Sequence, residues 1–350
     1  MATKPNPSKQ PATPSKKAYA QAGVDVDLGN AVKSRIQSMV KVTHGPEVLS
    51  KIGAFGGLFR ADFKGMKDPV LVSSVDGVGT KLKIAFATGR HDTVGADLVN
   101  HCIDDIAVLG ARPLFFLDYI GAEKLEPDVF EEILSGFAKA CKAGGCALVG
   151  GETAQMPGMY HPGEYDLAGT IVGVVDRKKI IDGSKIKPGD VVIGLPSNGL
   201  HTNGYSLARK ILFETMGLGL DAKLPGVTKP IGEELLRVHR NYQPLLATLP
   251  EGLVKGIAHI TGGGLVDNFP RVLPENCDAV IETKRWKVPA LFQILQENGK
   301  VDPAEMYQVF NMGIGMTLVV AEADARETVL LTRGRPIGRI EKGSKKVRLV

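Results

Sequence analysis

Residues 69–81 place a carboxylate, two glycines, a hydroxyl and an ammonium group directly after an apolar run. The apolar residues at 70–75 are typical of a strand buried in a sheet, which would deliver Asp76 and end at Gly77. Glycine lets the backbone approach a ligand closely, and carboxylate oxygens suit Mg²⁺. We therefore predict a site for a metal-bound polyphosphate, with Asp76 on the metal. The groups predicted to bind the phosphates are Gly77, Gly79, Thr80 and Lys81.

This stretch matches neither of the common phosphate-binding motifs, G-x-x-x-x-G-K-[ST] and G-x-G-x-x-G. Any nucleotide must therefore sit in a different cradle. An ordinary strand-to-helix turn with Asp76 as a cap is the more frequent explanation of so short a motif.

One face of a predicted helix at 93–109 carries several acids and no basic residue. The polar residues recur at helical spacing, as Asp97, Asn100, His101, Asp104 and Asp105. Asp is a poor helix former, and surface helices usually mix charges of both signs. Carboxylates that repel one another become favourable when a divalent cation lies among them. The pattern therefore favours a metal site over a solvated surface, with Asp104 and Asp105 as candidate ligands.

Two further predicted strands also lead into acids. One ends at Asp118, and the next runs from 146 into glycines followed by Glu152. Because α/β sheets commonly gather ligand groups at the ends of adjacent strands, we expect Asp76, Asp118 and Glu152 to meet around a Mg²⁺-nucleotide. Asp118 is the weaker metal candidate.

Two loops in the second half each precede a predicted helix, a position suited to holding an anion. They span 201–206 and 259–264 and combine histidine, threonine and glycine. A polar capping loop is the alternative for each. The candidate substrate-binding residues are His201, Thr202, Asn203, His259, Thr261 and Gly262.

The length of 350 residues and the alternation of strands and helices predict an α/β chain of two domains with mixed sheets. A Pro-, Ser- and Lys-rich stretch at 1–18 predicts a disordered tail. Turn-rich sequence at 180–190 places the boundary near 175. The expected domains are therefore 19–175 and 176–350.

The net charge of +5 comes largely from the two chain ends, so the body is nearly balanced, which argues against a nucleic-acid surface. The four cysteines lack C-x-x-C spacing and look like small buried thiols in a reducing compartment. No apolar run approaches the roughly 20 residues that span a bilayer, and the start lacks a signal-peptide core. We expect a cytoplasmic protein without a membrane partner.

Taken in order, these motifs resemble those of the phosphoribosylformylglycinamidine cyclo-ligases of purine biosynthesis. The resemblance runs from Tyr19 to the C-terminal region. The stretches that carry it are Tyr19 with 22–25, 76–81, 105–113, 115–119, 150–160, 201–206 and 259–264.

The resemblance implies a homodimer of two-domain α/β subunits whose N-terminal domains pair through their sheets. It also implies ATP-driven ring closure of formylglycinamidine ribonucleotide to 5-aminoimidazole ribonucleotide, with ATP and Mg²⁺ bound largely by the N-terminal half. On this basis Asp105, Glu152 and Lys81 are the catalytic candidates. The histidine loops would bind the ribose phosphate or the amidine of the substrate. Which carboxylate binds metal and which acts as a base stays open, because that depends on burial.

Other enzymes look similar in their ATP-binding architecture. Selenophosphate synthetase and a hydrogenase maturation protein need cysteines that this chain lacks, since its first is Cys102 and its end is Lys346–Val350. A thiamine monophosphate kinase is the enzymatic alternative, and a non-catalytic ATP-sensing subunit is the other.

Overall fold

The computed structural model describes residues 36–124 and 126–350. The expected disordered tail and the motif around Tyr19 lie outside these residues. The described chain begins with helical residues 36–41 and a loop region that contains one isolated bridge, between Val48 and Phe59.

A four-stranded sheet organises the first half. Its strands are β1 (Pro69–Gly77), β2 (Arg112–Ala122), β3 (Ala147–Gln155) and β4 (Tyr165–Asp176). The spatial order is β1-β4-β2-β3, with β4 antiparallel to both of its neighbours and β2 parallel to β3. The strands that carry the predicted acids therefore all run in one direction.

Two long helices cover one face of this sheet, and shorter helical turns precede them. The helical segments are a 3₁₀ turn (Gly79–Lys81), α1 (Leu82–Thr88), α2 (Val94–Ala107) and α3 (Pro127–Ala143). The apolar side of α2, including Leu98, Ile103 and Ile106, packs in a core with Phe116 and Phe137. Beyond α2 the chain turns at Gly110, whose φ of 79° is left-handed, and Pro113 follows.

Strand β1 is present as predicted, but it lies at an edge of the sheet and one of its faces is exposed rather than buried. Its side chains alternate, and Leu71 and Val75 are 62% and 68% exposed on the face away from α2. β-branched and apolar residues fit a pleated strand whether or not its outer face is covered within the subunit.

The second half contains a six-stranded sheet in the order β10-β7-β9-β5-β8-β6. Its strands are β5 (Val191–Pro196), β6 (Val254–His259), β7 (Cys277–Ile281), β8 (Ile314–Val320), β9 (Arg335–Lys342) and β10 (Val347–Leu349). Its helices are α4 (Tyr205–Arg209, continued by a π-helical turn Lys210–Thr215), α5 (Ile231–Leu235), α6 (Gln243–Leu246), α7 (Gly264–Asn268), α8 (Ala290–Gly299), α9 (Pro303–Val309) and α10 (Ala325–Thr332).

The class is mixed α/β with one sheet in each half, as predicted. The first sheet ends with β4 at Asp176, and the second begins with β5 at Val191. No helix in the described part of the chain is long and apolar enough to cross a membrane.

The polar face of α2 is where the two halves meet. Asp97 accepts a hydrogen bond from the backbone of His239, Asn100 donates to the His239 carbonyl, and Asp104 accepts from the backbone of Tyr242. The predicted stripe therefore exists, but most of it is buried against residues 237–242 of the second half. Helical spacing identifies such a face, whereas tertiary packing decides what covers it.

Candidate active site

A cavity of about 380 Å³ lies between the two halves. The end of β1 and one side of α2 form one wall, and the end of β6 with the following loop forms the other. Its polar lining includes Ser74, Asp76, His101, Asp105, His259, Thr261, Asn268 and Arg271. The structure therefore brings together the metal candidates Asp76 and Asp105 and the substrate candidates His259 and Thr261.

A chain of hydrogen bonds starts at Asp76 and passes beneath the cavity. His101 Nε2 lies 3.0 Å from Asp76 Oδ2, and His101 Nδ1 lies 2.8 Å from Thr202 Oγ1. Thr202 Oγ1 in turn lies 3.2 Å from His239 Nδ1. Three hydrogen bonds thus connect β1 and α2 of the first half with two loops of the second half.

The chain then returns to the cavity through His259. His239 Nε2 and His259 Nε2 are 3.0 Å apart, and His259 Nδ1 lies 2.8 Å from Asp105 Oδ1. The other oxygen of Asp105 accepts from the Ser74 hydroxyl at 3.1 Å. Two carboxylates of the first half are therefore linked through a threonine and three histidines.

The proton positions in this chain follow from its ends. An ionised carboxylate only accepts, so His101 donates from Nε2 to Asp76 and His259 donates from Nδ1 to Asp105. If His259 is neutral, its Nε2 accepts from His239 Nε2–H. His239 Nδ1 then accepts from Thr202, whose oxygen accepts from His101 Nδ1–H. A protonated His101 at one end gives every step one donor and one acceptor, so the arrangement can pass a proton between Asp76 and Asp105.

The local electrostatics agree with that assignment. Burial opposes protonation of His101, but the hydrogen bond to Asp76 and the charge of Asp105 outweigh it and raise the pKa of the imidazole. Burial would also raise the pKa values of Asp76 and Asp105, yet their histidine partners lower both. Burial dominates at His259 and lowers the pKa of its imidazole despite Asp105, which keeps the ring neutral.

His201 and His239 complete a buried group of four rings. Their ring centroids are 4.1 Å apart in a stacked arrangement. Burial, followed by neighbouring histidines, holds the pKa of both imidazoles well below the usual range. Both rings are therefore neutral at physiological pH.

Asp104 points away from the cavity and into the contact between the halves. It is fully buried, and burial holds the pKa of its carboxyl group well above the usual range. Its Oδ1 accepts from the backbone of Tyr242, while Oδ2 has no hydrogen-bond partner within the described residues. The structure does not place Asp104 beside Asp76 in the cavity.

Lys81 is also buried in the contact between the halves. Its ammonium group donates to Asp97 Oδ1 at 2.7 Å and to the carbonyl oxygens of His201 and Arg237 at 3.1 and 2.6 Å. These three acceptors use all three N–H bonds of the ammonium group. Phosphate binding by Lys81 stays a prediction that would require this tether to open.

The turn predicted to bind phosphates meets the first histidine loop. Thr80 Oγ1 lies 3.0 Å from Ser206 Oγ, and Gly77 donates its backbone N–H to Asp76 Oδ1. Gly79 has a φ of 68°, a conformation that glycine adopts without strain. Groups from both halves of the chain therefore lie next to each other at this turn.

The two histidine loops also approach each other. A side chain added at Gly262 would crowd the Asn203 amide oxygen. The buried Asn268 amide fixes the second loop by donating to the carbonyl oxygens of Thr261, Gly262 and Gly264 at 3.3, 3.1 and 2.8 Å. Asn268 therefore shapes the loop that lines the cavity.

Asp118 and Glu152 do not join this group, so the expected meeting of three strand-end acids is wrong. Both acids lie inside strands that continue to Ala122 and Gln155. Asp76 and Asp118 share one row of the sheet, but β4 separates them at Gly169. Glu152 is one residue out of this row and therefore faces the opposite side of the sheet. The metal role of Asp118 and the catalytic role of Glu152 stay predictions without support from this geometry.

The sequence reading missed several residues that build the site. Ser74 lay inside the predicted strand, and His101 was noted only as part of the α2 stripe. His239 has no local motif, because it contacts Asp97 of the first half, whereas Asn268 bonds to the loop only four to seven residues before it and could have been noticed there. The clustering of four of the seven histidines could be found only from the fold.

Comparison with known proteins agrees with this architecture. Family models for AIR synthase related proteins match residues 62–175 with the N-terminal domain and residues 187–350 with the C-terminal domain. A phosphoribosylformylglycinamidine cyclo-ligase from Trichlorobacter lovleyi is 53% identical over 317 residues, covering 90% of this chain and 91% of the relative. This chain belongs to the phosphoribosylformylglycinamidine cyclo-ligase family. It is therefore an enzyme of purine biosynthesis.

Another relative of the cyclo-ligase family, from Geobacter sulfurreducens, is 51% identical over 341 residues, covering 95% of this chain and 98% of the relative. Among solved structures, thiamine-monophosphate kinase from Stenotrophomonas maltophilia has a TM-score of 0.64 at 18% identity, covering 91% of this chain and 95% of the kinase. Hydrogenase maturation protein HypE in complex with ATP also has a TM-score of 0.64, at 17% identity, covering 90% of each chain. These two likenesses establish a shared fold only.

Proposed function

We propose that this cyclo-ligase closes formylglycinamidine ribonucleotide to 5-aminoimidazole ribonucleotide with consumption of ATP and release of ADP and phosphate, in the cytoplasm. The observation that carries the proposal is the hydrogen-bonded chain from Asp76 to Asp105 beside the cavity between the halves. The identity of about half of all residues with named cyclo-ligases supports the same reaction.

The chemistry asks the protein mainly to position groups and to neutralise charge. A formamide oxygen is a poor leaving group, so ATP first converts it into a phosphate ester. The amidine nitrogen of the same molecule then attacks that carbon, phosphate leaves, and the nitrogen loses a proton. Asp105 is ionised and faces the cavity, so we assign it as the acceptor, with His259 and Ser74 fixing its two oxygens.

Asp76 and Asp105 also fit the Mg²⁺ that the family implies. Both carboxylates are ionised, line one cavity and lie within 4 Å of the same His101 nitrogen. Oxygen ligands of this kind suit Mg²⁺, which would neutralise phosphate charge when bound. One carboxylate would be the main ligand while the other handles the proton.

The remaining groups of the site divide between the two substrates. We assign the ATP phosphates to Gly77, Gly79 and Thr80, with Lys81 holding the turn against the second half. The loop from His259 to Gly264 presents three glycines, and Arg271 adds positive charge to the same cavity. We therefore place the ribose phosphate of the substrate at this loop.

We also infer a homodimer formed through the first sheet. The face of β1 away from α2 exposes Leu71 and Val75, and β2 carries Leu117 and Tyr119 on the same side. The helices α2 and α3 pack on the other face, where Phe116 contacts Phe137. A second copy of the sheet would bury these apolar side chains. Glu152 lies on this same face, so in the dimer it would be close to the second subunit. Its predicted catalytic role can be tested in that dimer.

The thiamine monophosphate kinase alternative has only the fold in its favour, since the kinase from Stenotrophomonas maltophilia is 18% identical. A non-catalytic ATP-sensing subunit would need neither the two ionised carboxylates, Asp76 and Asp105, nor the continuous chain of hydrogen bonds between them.

Complementation tests the proposed reaction in cells. The full chain should restore growth without added purine to a bacterial strain that lacks its own cyclo-ligase. It should not restore a strain that lacks thiamine monophosphate kinase. Rescue of the thiamine strain alone would contradict the proposal, and the Asp105→Asn variant serves as the inactive control.

A further inference from the structure

The three histidines of the second half form a compact group of nitrogen donors. One ring nitrogen from each of His201, His239 and His259 lies within 4.8 Å of the others. All three side chains are at most 6% exposed. Neutral imidazoles suit Zn²⁺ and related ions of the first transition row, whereas Mg²⁺ prefers oxygen ligands. The donor chemistry therefore differs from that of Asp76 and Asp105.

The spacing of the donors suits a tetrahedral ion. Two nitrogens of such a Zn²⁺ site, each about 2.0–2.1 Å from the ion, are about 3.3 Å apart. His239 Nε2 lies 3.0 Å from His259 Nε2 and 3.7 Å from Asp104 Oδ2. The His239–His259 separation is slightly shorter than the tetrahedral value, and all three histidine nitrogens lie within 4.8 Å of one another, so side-chain shifts would accommodate an ion.

The outer ring nitrogens of His239 and His259 already have polar partners. His259 Nδ1 donates to the Asp105 carboxylate, and His239 Nδ1 contacts the Thr202 hydroxyl. Histidine ligands commonly use one nitrogen for the metal and the other for a carboxylate or similar group. Both rings thus turn Nε2 towards the same point.

Two polar atoms of this group have no other use in the described structure. His201 Nδ1 and Asp104 Oδ2 are buried without a hydrogen-bond partner. A buried polar group without a partner is costly, and coordination of a cation is one way to satisfy it. Both atoms belong to residues beside His239, at 4.1 Å between ring centroids for His201 and 3.7 Å from Nε2 for Asp104.

We propose that His201, His239 and His259 bind one transition-metal ion of the Zn²⁺ class at a position separate from the Mg²⁺ carboxylates. Asp104 Oδ2 lies 3.7 Å from His239 Nε2, so its carboxylate would be a neighbouring negative charge rather than one of the three grouped donors. His239 binds through Nε2 as its Nδ1–H tautomer, in which Nδ1–H donates to the Thr202 oxygen, so the ring stays neutral and no proton is released. An ion here replaces the bond between His239 and His259, which interrupts that chain.

Co²⁺ absorption spectroscopy on the metal-stripped full-length protein tests the proposal without a variant. We expect one Co²⁺ per chain with the intense d–d bands of tetrahedral coordination, displaced by Zn²⁺ but not by excess Mg²⁺. Weak bands of six-coordinate Co²⁺ that Mg²⁺ abolishes would overturn it, because the ion would then sit on the carboxylates alone.

The donor set is tested with His239→Asn and with His161→Asn as the matched control, since His161 is an exposed histidine outside the group. We expect His239→Asn to weaken Co²⁺ binding by more than about 100-fold and to lose the tetrahedral bands. The control should bind like the original protein. Unchanged binding by a folded His239→Asn, with folding checked by circular dichroism, would overturn the assignment. Neither readout depends on the cyclo-ligase reaction.

Discussion

At the scale of single residues, the site depends on pairings that place charge. Asp76 is paired with His101, whose pKa is raised by that carboxylate and by Asp105, while Asp105 is held by His259 and by Ser74. Both carboxylates stay ionised beside the same cavity although burial opposes this. Asp76 is thus ion-paired, whereas Asp105 is hydrogen-bonded, and Asp105 is the better placed of the two to accept a proton.

Asp105→Asn should lower kcat by at least about 100-fold while leaving the fold intact, because it removes one charge at nearly constant volume. Steady-state rates at saturating Mg²⁺ and circular dichroism check both parts. Asp221→Asn, a substitution of the same kind at an exposed position, should keep the original rate. A kcat near that of the original protein would rule out the role assigned to Asp105.

The buried carboxyl group of Asp118 leads to a prediction about how the stability of the protein depends on pH. Burial raises its pKa to about 7. The folded chain therefore binds more protons than the unfolded chain between about pH 4 and 7, and the contribution of this group to stability falls as pH rises through that window. Asp118→Asn should leave stability nearly unchanged at pH 4 and raise it at pH 8 by up to a few kcal/mol, at about 1.4 kcal/mol per pKa unit.

Thermal unfolding of Asp118→Asn and of the original protein at the two pH values provides the measurement. An equal change in Tm at both would show that the Asp118 carboxyl is already ionised at low pH. Loss of turnover in this stable variant would instead support the predicted metal role.

At the scale of elements, α2 organises the site, because its apolar side packs on the first sheet and its polar side meets the second half. It can do so because it packs closely on α3. A side chain added at Gly95 would overlap the backbone of Ile133 and Phe137, and Gly136 is similarly close to the backbone of Asp92. The two glycines therefore fix how far α2 lies from α3.

Gly95→Ala should destabilise the protein by about 1–3 kcal/mol, since the added methyl group forces the helices apart. Gly219→Ala is the matched control, because nothing lies within 4 Å of the methyl group it adds. Chemical denaturation of both variants measures the difference. Equal stability of the two variants would show that α2 and α3 can separate without cost.

The sequence was informative where local pattern decides the structure. The period of α2 predicted the face that carries Asp105, and glycine and histidine content predicted both loops. The sequence wrongly predicted that Asp118 and Glu152 meet Asp76 at strand ends, because an apolar run followed by an acid does not show whether a strand continues. The sequence could not reveal the position of His239 or the burial of Lys81, since these depend on Asp97 and Arg237, which lie 142 and 156 residues away along the chain.

At the scale of the whole molecule, a cavity lies between β1 with α2 of the first half and β6 with its following loop in the second half, and the first sheet has an outer apolar face. Buried contacts such as Lys81 with Asp97 and the second-half carbonyl groups hold the halves together. The outer face is the surface on which we place the second subunit.

The double variant Leu71→Lys with Val75→Lys should therefore weaken dimerisation by more than about 100-fold, because it buries charge in an apolar contact. Analytical ultracentrifugation should show a dimer for the original protein and a monomer for the variant. Leu330→Lys, which alters an equally exposed leucine at 73% in the second half, should remain dimeric. A monomeric original protein would contradict the proposed interface.

The most direct measurement of the central claim is the stoichiometry of the reaction. Purified protein is given Mg²⁺-ATP with and without formylglycinamidine ribonucleotide, and ADP and the aminoimidazole product are both quantified. The site described here predicts that ADP release requires the ribonucleotide and that one ADP appears for each product molecule. ATP binding without ribonucleotide-dependent ADP release, or ADP release without product, would contradict it.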